Sequence, residues 1–248
     1  MVERHAADAG GGRRRENRPV GDDRGWEVEQ LKGTAQQLHD APVSFDRRAV
    51  LVQLVTRPAL VLGSTQPIDT VDLDATAERG LEVARRHSGG GAVLLSPGTH
   101  VWVDVVVPAG DPLWLDDVAR SSWWLGASWA RAVTALSEQP ASVHHGGLDD
   151  RELGRLACFA ATGPGEVLVG DRKIVGISQR RTRLGARFQC VVYLQWHPDE
   201  LLALLHAGSR RGALTEALAD RADAISMDAL AGVDQVWRVV EELLQHLP

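Results

Sequence analysis

The amino-acid sequence predicts an α+β fold, and three features of its apolar pattern support this prediction. Alternation with a period of two indicates strands at residues 99–107 and 187–194. Gly170-Asp171 separates two short apolar runs, which is typical of a β-hairpin turn. From Pro198 onward the apolar residues recur at helical spacing, so we expect helices at the C-terminal end of the chain.

Length and composition predict one globular domain. The chain has 248 residues, of which 44% are hydrophobic, and this suffices for a single domain with a hydrophobic core. Residues 1–25 are polar and lack periodicity, which predicts a disordered N-terminal tail. The domain then comprises residues 26–248, with residues 198–248 as its helical C-terminal part.

Charge and cysteine content exclude several classes of protein. The formal net charge of -6 argues against a general nucleic-acid binder, which needs a basic face to neutralise phosphates. The two cysteines, Cys158 and Cys190, do not support a disulfide framework and favour a reducing compartment. No apolar run reaches the length of a membrane span. We therefore expect a cytoplasmic protein that binds neither membranes nor nucleic acid.

The first half of the domain contains strands and one short helix. Apolar runs at residues 50–55 and 59–63 predict two neighbouring strands. Residues 72–83 predict an amphipathic helix, because Leu73, Ala77 and Leu81 lie four residues apart.

The strand predicted at residues 99–107 follows a turn at Ser96-Pro97-Gly98 and has two different faces. One face carries only valines, whereas the other carries Trp102 and polar residues and is therefore a candidate pocket wall. Asp111-Pro112 predicts the start of a long helix, and Gln139-Pro140 predicts its end.

The second half of the domain contains a loop and a hairpin. Residues 141–155, which include His144 and His145, are expected to form the loop. The hairpin places Lys173 two residues past its turn, on a strand. Residues 187–194 place four apolar side chains on one face, and we interpret Cys190 among them as a core residue.

A triple glycine, Gly89-Gly90-Gly91, follows the basic pair Arg85-Arg86. Glycine allows positive φ and a close approach to the backbone, so a mobile loop and a binding loop are both compatible with this segment. In a binding loop, the backbone N–H groups and the arginines would hold a phosphate or a carboxylate.

Two segments together resemble the lipoate protein ligase family. The first runs from Arg85 to Val93, and the second runs from Gly170 to Arg180 and contains Lys173. The resemblance extends from about Trp26 to the C-terminus. The superfamily that it indicates also contains biotin protein ligases and octanoyl transferases. It implies a mixed, mainly antiparallel sheet flanked by helices.

The resemblance implies an enzyme that uses ATP with Mg²⁺ to activate lipoate or octanoate as an acyl-adenylate. The acyl group then passes to a lysine of a lipoyl carrier domain, either of a 2-oxoacid dehydrogenase complex or of the glycine cleavage H protein. Lys173 is the implied catalytic cation beside the acyl carbonyl and the phosphate. The implied substrate- and nucleotide-binding residues are Arg85, Arg86, Ser88, Gly89, Gly90, Gly91, Ala92, Trp102, Gly176 and Ser178.

Some residues depart from the ligase pattern and leave alternatives open. Leu95-Ser96-Pro97-Gly98-Thr99 stands where ligases carry a polar His-Asp-x-Gly-Asn pattern. The Gly176-Ile177 step is closer to biotin protein ligases. A biotin protein ligase and an acyl-binding protein without catalysis are therefore further alternatives. The adjacent pair His144-His145 does not have the spacing of a metal site, and none is predicted.

Cys158 supports the main alternative, an octanoyl transferase that needs no ATP. It resembles the cysteine with which those enzymes form an acyl-enzyme. Lys173 or the histidine pair could lower the pKa of such a nucleophile, whereas a lone cysteine can equally be a small core residue. Gly91 favours the ligase, because the transferases usually carry arginine there.

Overall fold

A computed structural model of the chain describes residues 25–225 and 233–248. The predicted disordered tail lies outside the described residues, apart from Gly25. The strands are β1 (Glu27–Gly33), β2 (Ala49–Val55), β3 (Ala59–Leu62), β4 (Glu82–Arg85), β5 (Val93–Leu95), β6 (His100–Pro108), β7 (Ala141–Val143), β8 (Val167–Val169), β9 (Arg172–Arg181) and β10 (Gly185–Tyr193). The α-helices are α1 (Ala35–Asp40), α2 (Leu73–Glu78), α3 (Trp123–Ser137), α4 (Arg151–Leu156), α5 (Pro198–Leu202), α6 (Arg211–Asp220) and α7 (Val233–His246).

Seven strands form the large sheet in the order β1-β2-β6-β10-β9-β8-β7. All neighbours in this sheet are antiparallel except β1 and β2, which are parallel. The small sheet has the order β4-β3-β5, with β3 parallel to β4 and antiparallel to β5. The predicted α+β fold with a mixed, mainly antiparallel sheet and flanking helices is confirmed.

The two faces of the large sheet pack against different partners. The valines of β6 pack with α3 and α7 in one hydrophobic core, which includes Val101, Val103, Val105, Val107, Leu125, Trp129, Val236 and Val240. Trp102, on the opposite face of β6, belongs to a second core with the small sheet, α5 and α6. The two faces of this strand therefore differ in their side chains, as predicted.

The hairpin and the C-terminal helices also agree with the sequence prediction. β8 and β9 pair across the turn at Gly170, whose φ of 57° favours glycine, and Lys173 lies on β9. Phe188 and Cys190 on β10 lie in the core with α3, as expected. Residues 198–225 and 233–248 contain helices and no strand of either sheet.

The two strands predicted at residues 50–55 and 59–63 exist, but they are not paired. β2 belongs to the large sheet and β3 to the small one. The helix predicted at residues 72–83 ends at Glu78, since Gly80 has a φ of 65° and the chain then enters β4. Leu73 is 51% exposed, so the predicted apolar face is not the buried one.

The long helix begins at Trp123, so the predicted start at Asp111 is wrong. The Asp111 carboxylate accepts a hydrogen bond from the backbone N–H of Leu113 and pairs with Arg48, with 2.8 Å from Arg48 Nε to Oδ2. An aspartate that caps a turn and one that caps a helix make the same local hydrogen bond. The predicted end agrees, because Ser137 is the last helical residue.

The loop predicted at residues 141–155 contains two regular elements. β7 pairs with β8, and α4 begins after Asp150, whose carboxylate accepts hydrogen bonds from the backbone N–H groups of Glu152 and Leu153. Within residues 25–225 and 233–248, no helix has the length and apolar character needed to cross a lipid bilayer.

Candidate functional site

A narrow cavity lies between the large and the small sheet. Its volume is about 40 Å³, and Trp102 lies in its wall, as the sequence predicted. The side chains around it come from both sheets, from α1 and from the short helix at Cys158–Ala160: His39, Val61, Arg86, Val93, Leu95, Trp102, Cys158, Phe159, Gly176, Ser178, Gln189 and Val191. Most of these side chains are apolar, so the cavity is suited to an aliphatic group.

The two arginines before the glycines contact different parts of the structure. Arg86 is buried, and its Nη2 donates to the backbone carbonyls of Gly89 at 2.8 Å and Gly91 at 2.9 Å. Arg85 instead donates to the carbonyls of Gly63 and Gln66, both at 2.7 Å, and does not line the cavity. Arg86 therefore both shapes the glycine loop and reaches the cavity.

The glycine loop is held against the segment that carries Cys158. The backbone N–H of Cys158 donates to the carbonyl of Ala92 at 3.0 Å, and the N–H of Ala92 donates to Leu156 at 3.0 Å. A Cβ atom on Gly91 would lie 2.5 Å from the backbone nitrogen of Ala157, so no side chain fits there. Gly91 is thus required by packing, whichever chemistry the site performs.

Lys173 lies behind Cys158 and is 1% exposed. Its ammonium donates to the carbonyls of Cys158 at 2.8 Å and Ala161 at 3.0 Å, and its Nζ is 2.7 Å from Glu166 Oε2. Burial lowers the pKa of Lys173, but the charges of Cys158 and Glu166 and the hydrogen bond to Glu166 outweigh this effect and raise it overall. The lysine is therefore a fixed cation beneath the cavity wall.

The two cysteines lie in different surroundings. Cys158 is half-buried, lines the cavity, and places its Sγ 3.9 Å from Lys173 Nζ. Cys190 is fully buried in the core, and burial raises the pKa of its thiol. Both are free thiols. Only Cys158 has the accessibility and the neighbouring cation of a nucleophile.

The histidine pair stands apart from the cavity. His144 Nε2 lies 2.9 Å from the carbonyl of Gly147, and the His145 ring lies against Trp123, with 4.4 Å between ring centroids. Neither residue lines the cavity. Of the candidates named for the position beside Cys158, Lys173 is therefore the one that occupies it. Among the residues described, no cluster of three His, Cys, Asp or Glu side chains is arranged to hold a metal ion.

Two serines, one from each motif, contact each other beside the cavity. Ser88 Oγ lies 3.0 Å from Ser178 Oγ and donates to Gln189 Oε1, also at 3.0 Å. Gly176 lies under the Phe159 ring, and a Cβ atom there would be 3.2 Å from Phe159 Cε2. The structure therefore brings Arg86, Ser88, Trp102, Gly176 and Ser178 together around Cys158.

No sequence motif indicates three further residues of the candidate site: His39 and Gln189, which line the cavity, and Glu166, which pairs with Lys173. His39 lies in the short helix α1, which has no periodic signal, and its ring contacts Gln189 on β10.

Arg187 belongs to a basic segment of the sequence, yet it is buried and its Nε lies 2.8 Å from Asp104 Oδ2. Asp104 also accepts from Trp102 Nε1 at 2.8 Å, which fixes the orientation of this wall residue.

Comparison with known proteins places this geometry in a family. The model of the lipoyl protein ligase A/B catalytic domain matches residues 34–247. The octanoyltransferase LipM of Moorella thermoacetica is 32% identical over 151 residues, which are 60% of this chain and 54% of that protein. The chain thus spans about half the length of this curated relative.

Solved structures share the fold. A bi-partite lipoate protein ligase from Thermoplasma acidophilum, studied with its E2 lipoyl domain, has a TM-score of 0.65 and 17% identity, over 88% of this chain and 80% of that one. A lipoate-protein ligase A bound with ATP has a TM-score of 0.60 and 20% identity, over 81% of this chain and 71% of that one.

Proposed function

Because the chain belongs to the family of lipoyl protein ligase A/B catalytic domains, whose members are ligases or acyltransferases, we propose that it is an acyltransferase acting through Cys158. It takes a medium-chain acyl group such as octanoyl from the thioester of an acyl carrier protein. It then transfers this group to a lysine of a lipoyl carrier domain. Cys158 carries the acyl group between donor and acceptor, and the transfer needs no ATP.

The observation that carries the proposal is the position of Cys158 between the apolar cavity and the Lys173 ammonium. A cation close to a thiol favours the thiolate, which is the nucleophilic form. Three oxygen acceptors surround the Lys173 ammonium and match its three hydrogens, so the lysine is held beneath the wall and is not directed into the cavity. This arrangement suits a thiolate better than an acyl-adenylate.

The reaction has two balanced steps. The Cys158 sulfur forms a bond to the acyl carbon while the bond to the carrier sulfur breaks, and the thiol proton passes to the departing carrier thiolate. In the second step the amine of the acceptor lysine attacks the acyl-enzyme. The carbon–sulfur bond then breaks, the amide forms, and the amine proton restores the Cys158 thiol.

The apolar wall supplies the affinity for the acyl chain. Burial of roughly eight carbons at about 0.8 kcal/mol each gives on the order of 6 kcal/mol. A volume of about 40 Å³ holds only a few water molecules, so an acyl chain enters by moving the side chains of the wall. The similarity to an octanoyltransferase supports octanoyl as the acyl group, and the fold shared with a lipoate ligase studied with a lipoyl domain supports such an acceptor.

The test is acyl-enzyme formation on Cys158. We expect the purified protein, mixed with octanoyl carrier protein, to gain the mass of one octanoyl group, and the gain to disappear in Cys158→Ala. Cys190→Ala is the matched control, because it removes the buried thiol and leaves the cavity intact. A Cys158→Ala protein that still transfers octanoyl to a lipoyl domain contradicts the proposal.

ATP-dependent ligation of lipoate or octanoate is the second candidate, and the glycine loop favours it. Gly89 and Gly90 are exposed next to Arg86, and a Cβ atom on Gly89 would meet open space, so a phosphate has room to approach this backbone. Ligation predicts pyrophosphate release that requires lipoate, MgATP and Lys173 and that survives Cys158→Ala. Transfer predicts that MgATP has no effect.

A further inference from the structure

His39 lies in the cavity wall beside Arg86, although no motif points to it. It is 4% exposed and lies in the last turn of the short helix α1. Its ring rests against Trp102, with 4.5 Å between the ring centroids, and its Nδ1 lies 3.2 Å from Gln189 Nε2. Its ring is therefore held in one orientation by two other residues of the same wall.

The hydrogen-bond network defines which His39 nitrogen carries a hydrogen. Burial, together with the positive charges of Arg187 and Arg86, lowers the pKa of His39 to about 3, so the ring is neutral at pH 7. Because Gln189 Oε1 accepts from Ser88, the Gln189 amide nitrogen faces His39 and donates to Nδ1. The single hydrogen of the neutral ring is then on Nε2.

Two hydrogen-bond donors of the cavity wall lack a partner among the described residues. They are His39 Nε2 and Arg86 Nη1, and both atoms are buried. Buried donors are almost always paired in native proteins, so an unpaired donor in a cavity indicates a missing acceptor. Both groups can donate a hydrogen bond but cannot accept one. Their partner in a ligand is therefore an acceptor oxygen, either of a carbonyl group or of an anion.

Arg86 connects this pair of donors to the reacting sulfur. Arg86 and Cys158 line the same cavity of about 40 Å³, so the guanidinium and the sulfur face one small space. An oxygen held by Arg86 is consequently near the carbon that Cys158 attacks.

We propose that His39 is a catalytic residue whose Nε2–H, together with Arg86 Nη1–H, binds the acyl carbonyl oxygen. This inference rests on the proposed acyl transfer. When the Cys158 sulfur adds to the acyl carbon, the π electrons of the carbonyl move to this oxygen. The two N–H groups stabilise the resulting charge, and the electrons return when the bond to the carrier sulfur breaks. His39 donates a hydrogen bond throughout and transfers no proton.

The first measurement is the carbonyl stretching frequency of a bound substrate analogue. The analogue is octanoyl pantetheine with a methylene in place of the thioester sulfur, bound to the Cys158→Ala protein. We expect the band to lie at lower frequency than in water. We further expect His39→Met, which removes the donor, to reverse part of this shift, and His39→Gln, which restores a donor, to keep it.

The second measurement is the rate of acyl-enzyme formation with Cys158 present. We expect His39→Met to lower the maximal rate by about 100-fold with little change in KM, and His39→Gln to recover part of the loss. His87→Gln is the matched control, since His87 is an exposed histidine next to Arg86 and pairs with Asp40. Circular dichroism of each variant establishes that it is folded.

The outcomes separate this inference from the proposed function. If the analogue binds and its carbonyl band is the same with and without the His39 donor, the inference is overturned and the transferase proposal stands. If His39→Met raises KM alone, His39 serves chain binding and the inference is likewise overturned. If the analogue does not bind at all, the proposed function fails and this inference fails with it.

Discussion

Glu166 and Lys173 form a buried ion pair, with 2.7 Å between Oε2 and Nζ. The same carboxylate accepts hydrogen bonds from the backbone N–H groups of Gly163 at 2.7 Å and Ile177 at 3.1 Å. Glu166 therefore connects the cation behind Cys158 to the turn before β8 and to the middle of β9. This arrangement makes the position of Lys173 a property of the fold and not of a flexible side chain.

Glu166→Gln is expected to destabilise the protein, because it leaves the Lys173 ammonium buried without a counter-charge. The loss in the free energy of unfolding should be about 3 kcal/mol, measured by urea denaturation. Glu152→Gln is the control, since Glu152 is exposed and its pair with Arg210 should contribute less than about 1 kcal/mol. Equal losses in the two variants would contradict the importance of the buried pair.

Gly91→Ala is expected to cost about 1–3 kcal/mol of stability, because the added methyl would overlap the backbone of Ala157. Gly89→Ala meets open space and should change the free energy of unfolding by less than about 0.5 kcal/mol. Denaturant unfolding of both variants distinguishes a packing requirement from a general need for flexibility, which predicts similar losses at the two positions.

Arg86→Lys is expected to lower the rate of acyl-enzyme formation by about 100-fold. A lysine keeps the charge but cannot hold the carbonyls of Gly89 and Gly91 and also present a free donor to the cavity. Arg79→Lys is the control, because Arg79 is exposed and donates only to its own helix. An Arg86→Lys protein with unchanged rate would show that charge alone suffices at this position.

Stability is expected to fall in mild acid because two histidines are buried in the neutral form. Burial lowers the pKa of His100 from 6.5 to about 4, and burial with nearby arginines lowers that of His39 to about 3. Between these values and pH 6.5 the unfolded chain binds more protons than the folded protein, so acid favours unfolding. Each histidine contributes about 1.4 kcal/mol per pH unit across its window.

Urea unfolding at several pH values between 4 and 6.5 measures this slope. His100→Gln should remove one of the two contributions, whereas His206→Gln, at an exposed position, should leave the slope as it is. A wild-type stability that stays constant across this range would contradict the neutral buried state of both rings.

Much of the large sheet was predictable because its strands carry strong periodic patterns. The alternation along β6 and β10 gave both the strands and the side chains that face the core, and the Gly170 turn located Lys173 correctly. The helix start at Asp111 was not predictable, because an aspartate followed by proline favours a turn as readily as a helix. Only the pairing with Arg48, distant in the sequence, distinguishes the two.

The candidate site was predictable only in part. The motifs gave Arg86, Ser88 and Ser178, whereas the distance between Cys158 and Lys173 depends on how the glycine loop packs against the segment after α4. His39 gave no signal at all, because its contact with Gln189 joins residues that are far apart in the sequence. Long-range contacts of this kind arise from tertiary packing and leave no local pattern.

The cavity lies where the small sheet meets the large one, so a ligand in it would contact both sheets and contribute to their packing. An acyl chain in the cavity would touch Val61 and Val93 on one side and Trp102 and Val191 on the other. It would then act as a removable piece of the hydrophobic interior that joins the two sheets. A loaded enzyme should therefore be more resistant to heat than an empty one, and each turnover would loosen and restore the contact between the sheets.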